Sequence, residues 1–254
     1  FEKKNLVGEN TVTIAYLLDG NGFESKDASP NSEVNKWLRG VHQQDNPNEN
    51  FVGHLRSLLS HPCMASRPKT YRLSKAELAL KNVTQVEIKF KISDLNLTDT
   101  ELSEKLLSWT SKGSCGSDSL MHAGTVLGEI KLESMNWPVQ PHIICVLTKQ
   151  KLYQGDFINL LGYALHQTLC YTSVLMILTY QSSSDVIYTG NLLSELVLNS
   201  TRNDASTSWK EYFNECNRQQ LFTYKYYKQN LRSFKSRRMV KKSTSKMQGQ
   251  HKDY

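Results

Sequence analysis

The sequence predicts an α/β or α+β fold in which a mixed, mainly antiparallel sheet is packed with helices, and three observations lead there. Short β-branched apolar runs recur along the chain, several segments carry apolar residues at helical spacing, and one segment alternates apolar and charged residues without exception. The C-terminal end adds a long basic helix and a disordered tail. The expected organisation is a globular body over 1–205 with a polar, loop-rich insertion over 23–68, a helix over 206–240 and a tail over 241–254.

Val12 to Leu18 is β-branched and apolar enough for a buried strand, and Asp19-Gly20-Asn21-Gly22 supplies the turn that ends it. The insertion that follows carries two apolar islands, Val34-Trp37-Leu38 and Phe51-Leu55-Leu58-Leu59. Both read as short helices among loops, the second stopped by His61-Pro62.

Val86 to Ile92 alternates strictly, which predicts an antiparallel-type strand with one wet face. Thr98-Asp99-Thr100-Glu101 has the form of a capping box, with Thr98 as the cap, a helix starting at Asp99, and Gly113 placed to end it. Thr125 to Leu132 is weakened as a strand by Gly124 and Gly128. Ile143 to Leu147 is a continuous apolar run suited to a strand buried on both faces, the central one of the sheet. Asp156 precedes Phe157, Leu160, Leu161, Ala164, Leu165, Thr168 and Leu169, a helical spacing that predicts a core helix capped by Asp156. A strand over Ser173–Tyr180, a helix over Leu192–Leu198 and a second capping box at Ser208-Trp209-Lys210-Glu211 complete the series.

Charge is distributed unevenly. The formal net charge is +7, yet from Arg218 to Lys252 there are eleven Lys and Arg and no Asp or Glu, so the rest of the chain stands at −4. Such asymmetry fits a basic arm that meets phosphates, anionic lipid or an acidic protein surface. Within it, Phe222, Tyr224, Tyr226, Tyr227 and Phe234 are interleaved with cations, a composition that lets aromatics stack on bases while Lys and Arg neutralise phosphates. Lys225, Lys228, Arg232, Lys235, Arg237, Arg238, Lys241 and Lys242 are the candidate residues for binding nucleic acid or a protein partner.

No catalytic, cofactor-binding or metal-ligating residue is assigned from the sequence, and no cofactor is expected. Gly113-Ser114-Cys115-Gly116-Ser117 is not the strand-turn-helix nucleophile pattern and reads as a loop. His61-Pro62-Cys63 is at best half of a zinc site, and the histidines are otherwise dispersed, His166 being expected as a core or boundary residue. Neither phosphate-binding glycine pattern occurs, and the Asp19-Gly20-Asn21-Gly22 turn leads into polar loop rather than a helix. No apolar run reaches the ~20 residues that cross a bilayer.

The five cysteines are odd in number and widely spaced, which argues against a disulfide framework and for a reducing compartment. The chain opens at Phe1 without an initiator Met or a signal-peptide stretch, and reads as a fragment or processed product. Two functional readings result. The first is a non-catalytic interaction subunit of an intracellular, nuclear or cytoplasmic complex associated with DNA or RNA, as in repair, recombination or chromatin. The alternative is a secreted or luminal protein-binding domain glycosylated at Asn82, Asn96 and Asn199, each of which heads an N-x-S/T triplet. A divergent enzyme whose site is assembled from distant residues is the third.

Overall fold

The computed structural model describes residues 10–43, 75–112, 119–135, 137, 140–180, 185–202 and 207–218. Its elements in chain order are β1 (Asn10–Leu18), α1 (Glu33–His42), α2 (Ala76–Thr84), β2 (Ile88–Leu97), α3 (Thr100–Ser108), β3 (Thr110–Lys112), β4 (Ser119–His122), α4 (Ala123–Ser134), β5 (Ile143–Thr148), β6 (Lys151–Gln154), β7 (Phe157–Leu160), β8 (Gly162–Leu165), β9 (Val174–Thr179), α5 (Val186–Asn199), and α6 over 209–218.

The architecture is mixed α/β with two mixed sheets. The larger has the order β2-β1-β5-β9-β8, and the smaller β3-β4-β6-β7. β1 runs parallel to both β2 and β5, and β5 parallel to β9; only β8 is antiparallel. The expectation of a mainly antiparallel sheet is therefore corrected for the larger one. Its physical signature was in the sequence: β1, β5 and β9 are apolar at nearly every position because helices or the second sheet cover both faces. β2 alternates because it is the outermost strand, wet on one face, yet it too is parallel.

Alternate residues of the central strands feed two cores. Ile14, Tyr16, Leu18, Cys145, Leu147, Met176 and Leu178 face α1, α2, α5 and α6. Leu17, Ile144, Val146, Leu175 and Ile177 face α3, α4 and the smaller sheet. The crossover from β1 to β2 through α1 and α2 thus lies on one face, and that from β2 to β5 through α3 and α4 on the other.

Helix starts follow local chemistry. Ser32 Oγ accepts from Asn35 N–H at the head of α1, and Ser208 and Glu211 form the expected reciprocal box at α6. At α3 the cap is Asp99, whose carboxylate accepts from Leu102 N–H, one residue beyond the predicted Thr98. The helix ends at Trp109, short of Gly113, which lies outside the described residues. Thr125 to Leu132 is helical within α4, not a strand; its N-cap is His122, whose Nδ1 accepts from Thr125 N–H.

The predicted core helix after Asp156 is instead β7 and β8. Phe157 is 72% exposed, and Gly155, Asn159 and His166 all take left-handed backbone, so the chain turns twice where a helix would continue. His166, expected at a core boundary, is exposed in the loop after β8.

The two helices α2 and α5 approach through Gly190. A Cβ there would sit 2.9 Å from Ala76 N, Lys75 Cα and Val41 O, all backbone atoms that cannot rotate away. Gly190→Ala is expected to destabilise the fold by about 3 kcal/mol, the upper end for overpacking. Urea denaturation checks this, and an unchanged midpoint would contradict the close helix contact.

Against the expectation of unpaired thiols, Cys170 and Cys216 are joined in a disulfide, while Cys145 is free and buried. The bond ties α6 to the loop before β9. His142 reinforces it: its Nδ1 accepts from Thr13 N–H and its Nε2–H donates to the Cys216 carbonyl, with burial holding its pKa below the ordinary value. Tyr212 of α6 donates to Leu169 O and accepts from Arg202 N–H, and burial pushes its phenol up to about 12. With Phe213 fully buried, the start of the predicted 206–240 helix belongs to the body's core. The rest of that helix, the tail, and the candidate cations Lys225 to Lys242 lie outside the described residues, as do the Phe51 island, Cys63 and Cys115.

Candidate functional site

In an open parallel sheet, ligands bind beyond the carboxyl ends of the strands where successive crossovers leave on opposite faces. Here that point lies between β1 and β5. The chain leaves β1 toward β2 on one face, then returns past β1 to β5 on the other. Asp19 follows β1 at this point, and its N–H donates to Leu147 O of β5.

Asp19 is only 1% exposed. Its Oδ2 accepts from the Thr148 hydroxyl at 2.9 Å, and its Oδ1 accepts from Asn21 N–H at 3.1 Å and Asn21 Nδ2 at 2.9 Å. Asn21 Nδ2 also donates to Ser103 O of α3. Beside it, Gly20 N–H donates to Thr98 Oγ1 at 2.9 Å, and Thr98 Oγ1 lies 2.7 Å from Ser103 Oγ. A Cβ on Gly20 would come within 2.5 Å of Ser103 Oγ and would turn that hydroxyl away from Thr98 Oγ1.

The other wall is aromatic. Phe23 and Trp37 are buried and meet Tyr180 edge-on at centroid distances of 5.6 and 4.9 Å, while Lys149 Nζ sits 4.7 Å over the Phe23 ring. These hydroxyls, amides and aromatic rings lie beyond the carboxyl ends of β1 and β5 and are engaged with one another. Asp19 acts chemically as a knot: one carboxylate satisfies donors from the turn after β1 and from the end of β5. Replacing Asp19 with Ala strands the Thr148 hydroxyl and Asn21, and is expected to cost about 3 kcal/mol in urea unfolding. A loss under about 1 kcal/mol would mean that the knot does not hold the strands together.

An open cleft of about 330 Å³ lies between α3 and α4, lined by Asp99, Glu101, Lys105, Glu129 and Glu133 with Leu102 and Leu132. Glu101 Oε1 pairs with Lys105 at 2.8 Å. Partial burial, followed by the nearby Asp99 charge, raises the Glu133 carboxyl above its ordinary value. Among the described residues, no three His, Cys, Asp or Glu side chains converge to hold a metal ion. Nor is any helix among them long and apolar enough to cross a membrane.

The three triplet asparagines are all described and all exposed: Asn82 near the end of α2, Asn96 on β2 and Asn199 at the end of α5. The threonine two residues on is buried in each case, Thr84 at 5%, Thr98 at 5% and Thr201 at 4% exposure. These hydroxyls serve the fold; Thr84 donates to Leu80 O, Thr201 to Leu198 O, and Thr98 receives Gly20 N–H. Sequence reasoning missed the Asp19 knot, although an acidic residue directly after a buried strand was a readable signal. No protein-family model matches the chain, and no curated protein matches it.

Proposed function

We propose that this chain is a non-catalytic protein-binding domain of the secretory route, luminal or secreted, stabilised by a disulfide and carrying N-linked glycans. The observation that carries the compartment is the Cys170–Cys216 bond, because structural disulfides persist in oxidising compartments and are rare in the cytosol and nucleus. Exposure of all three triplet asparagines supports it, since each amide is open to a bulky hydrophilic chain. The non-catalytic part is supported by Asp19, the buried carboxylate at the strand ends, whose oxygens are committed to Thr148 and Asn21.

The test combines two measurements on the native full-length protein. Peptide N-glycosidase is expected to increase its gel mobility, and Cys170 and Cys216 are expected to resist alkylation until a reductant is added. Unchanged mobility together with two free thiols would overturn the reading.

That result would return the weight to a second reading, an interaction subunit of an intracellular, nucleic-acid-associated complex. It is favoured by the eleven cations without an acid between Arg218 and Lys252. Under that reading, affinity for DNA or RNA falls steeply from low to moderate salt, and deletion of Arg232 to Tyr254 removes most of it. Binding that survives the deletion sinks it.

A further inference from the structure

β2 is the outer strand of the five-stranded sheet, ten residues long, with no partner strand on its far side among the described residues. A long open edge is a template for pairing with another chain unless something blunts it. Its first half is blunted from within. Phe90 N–H donates to Glu77 Oε1 of α2 at 2.8 Å, so a carboxylate stands where a docking strand would offer a carbonyl. A register shift opposite Ile14 and Ala15 leaves Ser93 as a bulge, which bends the strand and interrupts any continuous ladder.

Beyond the bulge the protection is thinner. Asp94 Oδ1 accepts from Leu95 N–H, and Asn96 Nδ2 donates to Asp94 Oδ2 at 2.7 Å. Both are short, exposed side chains, and Leu95 and Leu97 beside them are only partly buried. This second half of the edge is where Asn96-Leu97-Thr98 lies.

Resting on the secretory reading, we propose that Asn96 is an occupied N-glycosylation site whose glycan closes the second half of the β2 edge against strand pairing between copies of the chain. In the modification, Asn96 Nδ2 forms a C–N bond to the anomeric carbon of an oligosaccharide activated as a lipid diphosphate. The anomeric C–O bond breaks, the lipid diphosphate leaves with the electron pair, and one amide proton passes to a base of the transferring enzyme. Nδ2 keeps its second hydrogen. Burial of Thr98 is no obstacle, because transfer precedes folding. A paired strand would lie about 4.8 Å from β2, well inside the volume swept by a hydrated oligosaccharide rooted at Asn96.

The test uses the full-length chain secreted from glycosylating cells, as wild type, as Asn96→Gln, and as folded wild type deglycosylated by enzyme. Site occupancy is read by mass spectrometry and self-association by sedimentation velocity. Expected are a glycan on Asn96 and self-association tightened about tenfold or more in both samples that lack it, the variant, which keeps the Asn82 and Asn199 glycans, and the enzyme-treated protein, which keeps none. The enzymatically treated sample separates lost protection from any folding defect of the variant. A bare Asn96 beside occupied Asn82 and Asn199, or an Asn96→Gln variant that stays as monomeric as wild type, overturns this inference alone. Three bare asparagines together with free thiols at Cys170 and Cys216 would overturn the secretory reading with it.

Discussion

Replacing both Cys170 and Cys216 with alanine lowers the free energy of unfolding by about 4 kcal/mol, the loop-closure value for the 46-residue separation they span. The double variant isolates the cross-link well. Cys170 sits at φ 68°, a left-handed conformation that costs alanine as much as cysteine, so the backbone term cancels. Both side chains are buried, Cys216 completely, and alanine leaves small voids that add to the loss. The effect concentrates at α6, which keeps Tyr212, Phe213 and the His142 bond to Cys216 O but becomes free to detach from the loop before β9. Urea titrations under oxidising conditions measure it. Reductant should lower the wild type to slightly above the variant's level, the difference being the alanine voids, and leave the variant unmoved. Equal stability of the two oxidised proteins would show the thiols unbonded and remove the main support for a secretory location.

The parts of the fold legible in the sequence were those set by local composition. Ile143 to Leu147 and Ser173 to Tyr180 read correctly as strands because both faces are buried, and Ser208 to Glu211 read correctly as a helix start because its cap is complete within four residues. Failures came where distant groups decide. The 3.6-residue spacing after Asp156 was coincidental: Gln154-Gly155-Asp156-Phe157 is a hairpin connection, and its Gly-Asp pair was the better guide. Parallel pairing of β2 was invisible because its alternation reports which face is wet, not the direction of its neighbour. Thr98 looked like a cap, but its hydroxyl receives an amide from Gly20, 78 residues away. The Asp19 knot closes through Thr148, 129 residues away, and Cys170 with Cys216 was one pairing among many for five cysteines. The asparagine triplets could be found in the sequence; their exposure, and the β2 edge beside Asn96 with no partner strand among the described residues, could not.

Acidification is expected to remove about 4 kcal/mol of stability between pH 6.5 and pH 3 through His42 alone. The ring is 2% exposed, and burial depresses its pKa from 6.5 to about 3. Its Nε2 lies 2.6 Å from the Tyr16 hydroxyl, whose own pKa burial raises well above the ordinary value, so a neutral phenol and a neutral imidazole share the hydrogen bond. Above pH 6.5 the imidazole is neutral in both folded and unfolded chains, and its contribution is fully present. Below it the unfolded chain binds a proton that the folded chain refuses until about pH 3, so stability declines by roughly 1.4 kcal/mol per pH unit across that window. His42→Phe keeps an aromatic ring between Tyr16 and Phe90 but strands the Tyr16 hydroxyl, at a cost of about 2 kcal/mol at neutral pH. The two stability curves should therefore cross near about pH 5, with the variant the more stable below it. His142, depressed in the same direction, titrates in both proteins and leaves the difference unchanged. Urea midpoints measured from pH 7.5 to pH 3.5 decide the matter, and curves that stay parallel over this range would place the acid sensitivity elsewhere than in the Tyr16–His42 pair.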